Sequence, residues 1–165
     1  MLENQVKSIY LGIGSNLGNK KVNIEKAKFE LAQNDIKILK SSKYYESISW
    51  PNPNNPKFLN IVLKINTFLE PSELLKKCKN IEIKMGRKKS KKNSPRICDI
   101  DIIDYDKKKR NGKISLPHPR MHKRNFVLLP LFELNKDWTH PTTKRHIKTL
   151  ILSLPNSDIT SIKQI

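Results

Sequence analysis

Acidic residues, cysteine, alanine and long apolar runs are all scarce in this chain. Fifteen Asp and Glu stand against 33 Lys and Arg in 165 residues, a formal net charge of +18. That balance favours anionic partners such as nucleic acid, nucleotides or acidic lipid, without choosing among them. Only two alanines occur, Ala27 and Ala32, while Lys, Asn and Ile abound; part of the charge is general composition, and local clusters carry more meaning than the total. The two cysteines, Cys78 and Cys98, have neither C-x-x-C spacing nor a histidine companion, so they read as reduced core thiols of a cytoplasmic protein. No apolar run approaches a membrane span, and Met1 to Gln5 lack the charged and apolar regions of a signal peptide. The expectation is a soluble protein whose residues 1–165 form one domain, long enough for a continuous core.

Against this background one segment stands out. In Pro95-Arg96-Ile97-Cys98-Asp99-Ile100-Asp101-Ile102-Ile103 two carboxylates alternate with apolar residues. A β-strand puts residues i and i+2 on one face, so Asp99 and Asp101 project together while Ile100 and Ile102 face the other way. Adjacent carboxylates repel unless a cation lies between them, and charges leave water only when paired or metal-bound. A solvated strand face remains the plainer reading of an isolated D-x-D. The context favours Mg²⁺, which typically takes one or two carboxylates plus the oxygens of a bound phosphate. Just upstream, Lys84, Arg87, Lys88, Lys89, Lys91, Lys92 and Arg96 occur without an intervening acid. A polyphosphate would satisfy both halves.

The rest of the chain supplies a frame. Val6–Ile13 reads as a strand ending in the turn 14–19, and Asn19 caps a helix carrying Ile24, Ala27 and Leu31. A second strand spans 36–47. Residues 50–56, Trp-Pro-Asn-Pro-Asn-Asn-Pro, cannot form a ladder and make a long loop. Leu59, Ile61, Leu63 and Ile65 alternate with Asn60, Lys64 and Asn66 as a third strand with a polar face. Pro71 opens a helix with the apolar stripe Leu74, Leu75, Cys78, Ile81 and Met85, ended by Gly86. With a fourth strand over 97–105 the order is βαββαβ, an α+β, ferredoxin-like core. Asn111-Gly112 signals a hairpin with an additional strand reaching Leu116, followed by helices over 124–134, with a break or kink at Pro130, and 144–152.

Three further features have two readings each. Gly12-Ile13-Gly14-Ser15-Asn16-Leu17-Gly18 fits neither G-x-G-x-x-G nor G-x-x-x-x-G-K-[ST]; it is a tight turn, or a turn whose backbone approaches a ligand. His118, between Pro117 and Pro119 and near Lys123 and Arg124, is an ordinary surface or core histidine or a phosphate-contacting donor. Asn60 is a solvent-facing filler or an amide that reads a heterocycle.

Taken together, Gly14 to Gly18, Phe58-Leu59-Asn60, Glu82 with Gly86-Arg87, P-R-x-x-D-x-D-I at 95–102 and Pro117-His118-Pro119-Arg120-Met121 resemble hydroxymethyldihydropterin pyrophosphokinase of folate biosynthesis. The resemblance covers about residues 6 to 140. It implies transfer of the terminal two phosphates of ATP, the co-substrate, to the hydroxymethyl group of a reduced pterin, with release of AMP. It implies two Mg²⁺ ions on Asp99 and Asp101, and catalytic roles for these and for Arg87, Lys92 and Arg96. It places Glu82, Arg87, Lys89, Lys92, Arg96, Ile102, His118 and Arg124 on the ATP side. On the pterin side it places Gly14, Ser47, Ile48, Trp50, Phe58, Asn60 and Phe126, where aromatic rings and amides would read the flat ring.

The chain departs from that family at several points. The common Arg-Trp-Gly before Pro-Arg is here Lys92-Asn93-Ser94, so a bidentate guanidinium becomes a point charge and an indole is lost from a basic lid. Ser47, Phe58 and Pro119 also replace the family's usual residues. A competing reading is a small basic RNA-binding module on a ferredoxin-like sheet. That module needs an aromatic run on its central strands, where this chain has Asp99 and Asp101. The expectation is a monomeric enzyme of small-molecule substrates, with neither nucleic acid nor membrane as partner.

Overall fold

β1 (Ile9–Ser15) lies between β4 (Phe58–Asn66) and β5 (Asp99–Tyr105) in a computed structural model that describes residues 6–165. Both neighbours run antiparallel to it. β2 (Lys37–Ser41) and β3 (Tyr45–Ser47) each pair with the far side of β4, and β6 (Lys163–Gln164) adds to β3. The result is a six-stranded antiparallel sheet of order β5-β1-β4-β3-β6, with β2 beside β4. Met1 to Gln5, on which the expectation of no signal peptide rests, lie outside the described residues.

Two layers of helix cover this sheet. On one face α1 (Lys20–Ala32) and α2 (Pro71–Lys84) contribute Ile24, Ala27, Leu31, Leu74, Cys78 and Ile81 to a cluster with Ile9, Leu11, Ile13, Ile61 and Ile100. Asn19 caps α1 as expected, its side chain accepting the Val22 N–H at 3.2 Å. Pro71 sits in the first turn of α2, where its missing N–H costs nothing. Cys78 and Cys98 are free and buried, and burial pushes both thiols up to about 12, so they stay protonated.

On the other face, α3 (Asn125–Leu134) and α4 (Ile147–Leu152) pack Val127, Leu128, Leu131, Ile147 and Leu150 against Tyr10, Val62 and Ile103. The polar face expected for β4 is therefore covered in its central part: Asn60 and Val62 are buried there. Asp104, also buried, accepts the Trp138 indole N–H at 2.8 Å and the Lys107 N–H at 3.0 Å, which ties β5 to the chain beyond α3.

Several expected elements differ. The strand over 36–47 is two strands, because Ser42 leaves the ladder: its N–H donates to Val62 O, while its hydroxyl takes the Val62 N–H that a backbone carbonyl would have accepted. The hairpin at Asn111-Gly112 closes through one bridge, Arg110 to Leu116, and forms no strand, since Pro117 follows without an N–H. The additional strand is the C-terminal β6 instead. α3 runs through Pro130 without the expected break. The last predicted helix begins three residues late because Lys144 has φ of 62°, outside the helical region. A fifth helix, α5 (Asn156–Ser161), had no sequence signal. Among the described residues, no helix is long and apolar enough to cross a membrane.

Candidate functional site

The pairing register brings the candidate residues of three strands together. Gly14 of β1 lies between Asn60 of β4 and Asp99 of β5, and Gly12 lies between Val62 and Asp101. Cross-strand partners share a face, so the two carboxylates and Asn60 look out from the same side of the sheet across a floor of glycine. A Cβ on Gly14 would stand 3.2 Å from Asn60 Oδ1 and 3.4 Å from the Phe58 ring, so a side chain there would crowd that floor.

Asp99 and Asp101 are partly exposed, while Ile100 and Ile102 are buried beneath them, as the alternation requires. Arg87 Nη1 approaches Asp99 Oδ1 at 3.0 Å and Arg96 Nη1 approaches Asp99 Oδ2 at 3.5 Å. Arg124 Nη1 stands 3.7 Å from Asp101 Oδ2. Burial, and then the charge of Asp99, pushes the Asp101 carboxyl up to about 6 despite Lys79 and Arg124 nearby. Three arginines thus converge on two carboxylates, and one of those still holds its proton too tightly. A divalent cation between the carboxylates would relieve that strain, so their hard oxygens fit Mg²⁺.

Behind the pair, Glu82 of α2 is only 2% exposed. It accepts the Ile100 N–H at 2.8 Å, Arg87 Nη1 at 2.7 Å and Lys79 Nζ at 3.3 Å. The carboxylate therefore fixes the outer edge of β5 and the first residue of the basic segment together. Gly86, at φ of 102°, lets the chain leave α2 in the left-handed conformation that ends many helices. Residues 87–98 then run without helix or strand, folded by a turn in which Ser94 N–H donates to Lys91 O at 3.1 Å. Lys88, Lys89, Lys91 and Lys92 are exposed on it. Ile102, expected on the nucleotide side, has its side chain in the core, so only its backbone can face a ligand.

His118 is brought to this group by its N–H, which donates to Ile103 O at 2.9 Å. Its Nδ1 accepts the Arg120 N–H at 3.1 Å, which leaves the proton of the neutral ring on Nε2, a donor. Burial, then Arg124 and Arg120, lowers the imidazole to about 4. The Arg124 guanidinium also lies 5.4 Å above the Phe126 ring.

On the β4 side, Asn60 Nδ2 donates to Tyr45 O at 3.0 Å and Ser47 Oγ at 2.9 Å. Its Oδ1 remains as an acceptor beside Gly14. Ser47 is buried with it, and Phe58 is half-buried. Ile48 and Trp50 are not gathered in: they stand 45% and 70% exposed at the start of the proline loop.

Sequence reasoning passed over Lys79, which sits three residues before Glu82 on the same helix face and was visible as an i, i+3 pair. It gave no role to Asn16, although the Gly14 to Gly18 turn contains it, and it passed over Ser49; both are buried polar residues. A separate concavity of about 1000 Å³ runs along α1 and the end of α2 past Phe29, Tyr44, Met85 and Ile97, and none of the site candidates lines it.

The chain matches known proteins along most of its length. The model of the family described as 7,8-dihydro-6-hydroxymethylpterin-pyrophosphokinase matches residues 10–136. The chain is 42% identical over 142 residues to 2-amino-4-hydroxy-6-hydroxymethyldihydropteridine pyrophosphokinase of Aquifex aeolicus, covering 86% of this chain and 88% of that one. It is 37% identical over 154 residues to a folic acid synthesis protein of Pneumocystis carinii, covering 93% of this chain and 21% of that longer one. Among solved structures, a Plasmodium falciparum HPPK-DHPS with pterin and p-hydroxybenzoate superposes with a TM-score of 0.73 at 16% identity, over 99% of this chain and 48% of that chain. At that identity the likeness speaks to the fold.

Proposed function

This chain belongs to the 7,8-dihydro-6-hydroxymethylpterin-pyrophosphokinase family, and we propose that the two groups flanking Gly14 are the nucleotide and pterin halves of its active site. The reaction is pyrophosphoryl transfer in folate biosynthesis: ATP and the reduced hydroxymethylpterin become AMP and the pterin diphosphate. The observation that carries the site reading is the register, which sets Asp99 and Asn60 on either side of one glycine. The phosphates and the hydroxymethyl group then meet above β1.

In this reading the pterin hydroxyl oxygen bonds to the β phosphorus as its proton passes to solvent, the bond from that phosphorus to the oxygen bridging the α phosphate breaks, and AMP leaves. Such transfer is mainly positioning and charge stabilisation. Asp99 and Asp101 would hold Mg²⁺, two ions in our reading, and the metal would supply charge neutralisation for the phosphates and orientation of the reacting oxygens. Arg87 and Arg96, at either end of the basic segment, exchange Asp99 for phosphate oxygens, and Lys89 and Lys92 close over them. Arg124 and the neutral Nε2–H of His118 donate to the triphosphate from the other side. Glu82 holds Arg87 and β5 in place. Asn60 Oδ1, supported by Ser47, accepts a ring N–H, and Phe58 and Phe126 bound the flat ring. Ile48 and Trp50 reach it only by movement of their loop.

We further read the core as ferredoxin-like, supported by β5-β1-β4 with β2 and β3 beyond, and the chain as a single-domain, monomeric, cytoplasmic protein. The RNA-binding alternative has no support: the face it would use carries Asp99 and Asp101. Purified protein mixed with ATP, Mg²⁺ and 6-hydroxymethyl-7,8-dihydropterin tests the assignment. AMP should form only with all three present; ADP, or AMP released without the pterin, would overturn it.

A further inference from the structure

Asn16 is 2% exposed, yet it touches two loops that no strand pairing joins. Its N–H donates to Arg96 O at 3.1 Å, and its Oδ1 accepts the Arg96 N–H at 2.8 Å, so its backbone and side chain clasp the root of the basic segment from both sides. Its Nδ2 points the opposite way, to Ser49 Oγ at 3.4 Å and Pro56 O at 3.3 Å, the two ends of the proline loop. Ser49, 5% exposed, closes that loop with its own hydroxyl donating to Pro56 O.

We propose that Asn16 is a positioning residue that couples the two substrate loops, so that ordering of the basic segment around the nucleotide favours the pterin-binding arrangement of the proline loop, and the reverse. This rests on the active-site reading above. The physical argument concerns bond direction. Arg96 lies beside Asp99, where nucleotide and metal would act, and Ile48 and Trp50 lie next to Ser49, on the loop that must move to meet the pterin. A shift of the Arg96 backbone moves the acceptor side of one planar amide, and the donor side must follow. Both Asn16 arms are buried, where a broken hydrogen bond leaves an unsatisfied polar group rather than a hydrated one. Two loops that share such a group change together more cheaply than separately, and that difference is a reciprocal coupling between their ligands. Ser49, an accessory of the hub, touches neither substrate in this reading.

The test measures affinity for the reduced pterin by calorimetry with and without a non-hydrolysable ATP analogue and Mg²⁺, and affinity for the analogue with and without pterin. Wild type should show both affinities raised by the same factor, about fivefold or more. In Ser49→Ala and Asn16→Ala that factor should fall toward one, while the affinity for the analogue alone changes less than about threefold. Thermal melting checks that each variant folds; should Asn16→Ala fail to fold, Ser49→Ala decides. A factor retained in the folded variants, or absent from wild type, overturns the coupling. Failure of wild type to bind either ligand instead sinks the active-site reading itself.

Discussion

Arg87 donates to Asp99 at 3.0 Å, and the same Nη1 is held from behind by buried Glu82 at 2.7 Å. A cation of the basic segment is therefore paired with a carboxylate of the proposed Mg²⁺ pair. Binding of Mg²⁺ and phosphate would exchange partners within a set of charges already gathered. Asp99→Asn keeps the shape and leaves Arg87 on Glu82, so the fold should survive with an unchanged circular dichroism spectrum. Turnover at saturating Mg²⁺ should fall at least about 100-fold. Near-normal turnover would remove Asp99 from the metal role.

Asp101 illustrates a conflict between function and stability. Its carboxyl is raised to about 6 from 3.8, first by burial and then by Asp99. Between those values the folded protein binds a proton that the unfolded chain has released. Its contribution to stability is therefore complete below about pH 4 and is lost as pH rises through about 6. At pH 7.5 the ionised side chain is a net cost until a cation compensates it. Asp101→Asn, measured without nucleotide or Mg²⁺, should melt about 2–4 °C above wild type at pH 7.5. The gap should close toward pH 4, and the variant should be inactive. An unchanged or lower melting temperature at pH 7.5 would contradict this.

His118 acts with the opposite sign. Burial and two arginines lower it to about 4, so the unfolded chain binds the extra proton. Its contribution is present above about pH 6.5 and is lost as pH falls through about 4. In NMR titration of the protein without nucleotide, its ring signals should stay those of neutral imidazole from about pH 5.5 to 8. Adding the ATP analogue with Mg²⁺ should move the midpoint upward, as phosphate oxygens offset the arginines. A midpoint near 6.5 without nucleotide would contradict the buried, Nε2–H donor role.

Lys92 and Asn93 differ from the family's common Arg and Trp, and Asn93 has φ of 65°, a conformation Asn tolerates and Trp does not. Restoring both residues would confound chemistry with backbone strain. Lys92→Arg alone should raise the single-turnover rate with little change in ATP affinity, because a planar fork grips phosphate only once the segment has closed. An unchanged or slower rate would show that Lys88, Lys89 and Lys91 already suffice.

The sequence made β1, α1, β4, α2 and β5 legible because each has one clean period and a capping or turn residue at its end. Asp99 and Asp101 were legible because apolar neighbours framed them. The break at Ser42 was not, since a hydroxyl replacing a carbonyl leaves no trace in hydrophobic periodicity. Nor was the cover on the second sheet face: Val62 in an alternating strand looks like tolerance of one apolar residue until α3 is packed on it. Asn60 was singled out for its amide, but its burial and its bond to Ser47 depend on a pairing register that no local pattern encodes. Asn16 and Ser49 fall in the same class.

The bond between Asp104 and Trp138 bears on where this chain tolerates being cut or joined. The family match ends at residue 136, two residues short of the indole. Shortening the chain there would remove Trp138, Ile147, Leu150 and Leu154 from the cluster under Ile103. It would also strip β6 from β3 and bare a sheet edge. Asp104 would lose its indole donor, a hydrogen bond to a charged group contributing about 1.5–3 kcal/mol, only three residues from Asp101 on the same strand. A fusion joint therefore belongs beyond β6, and a crop drawn at the edge of family similarity would unseat the strand that carries Asp99 and Asp101.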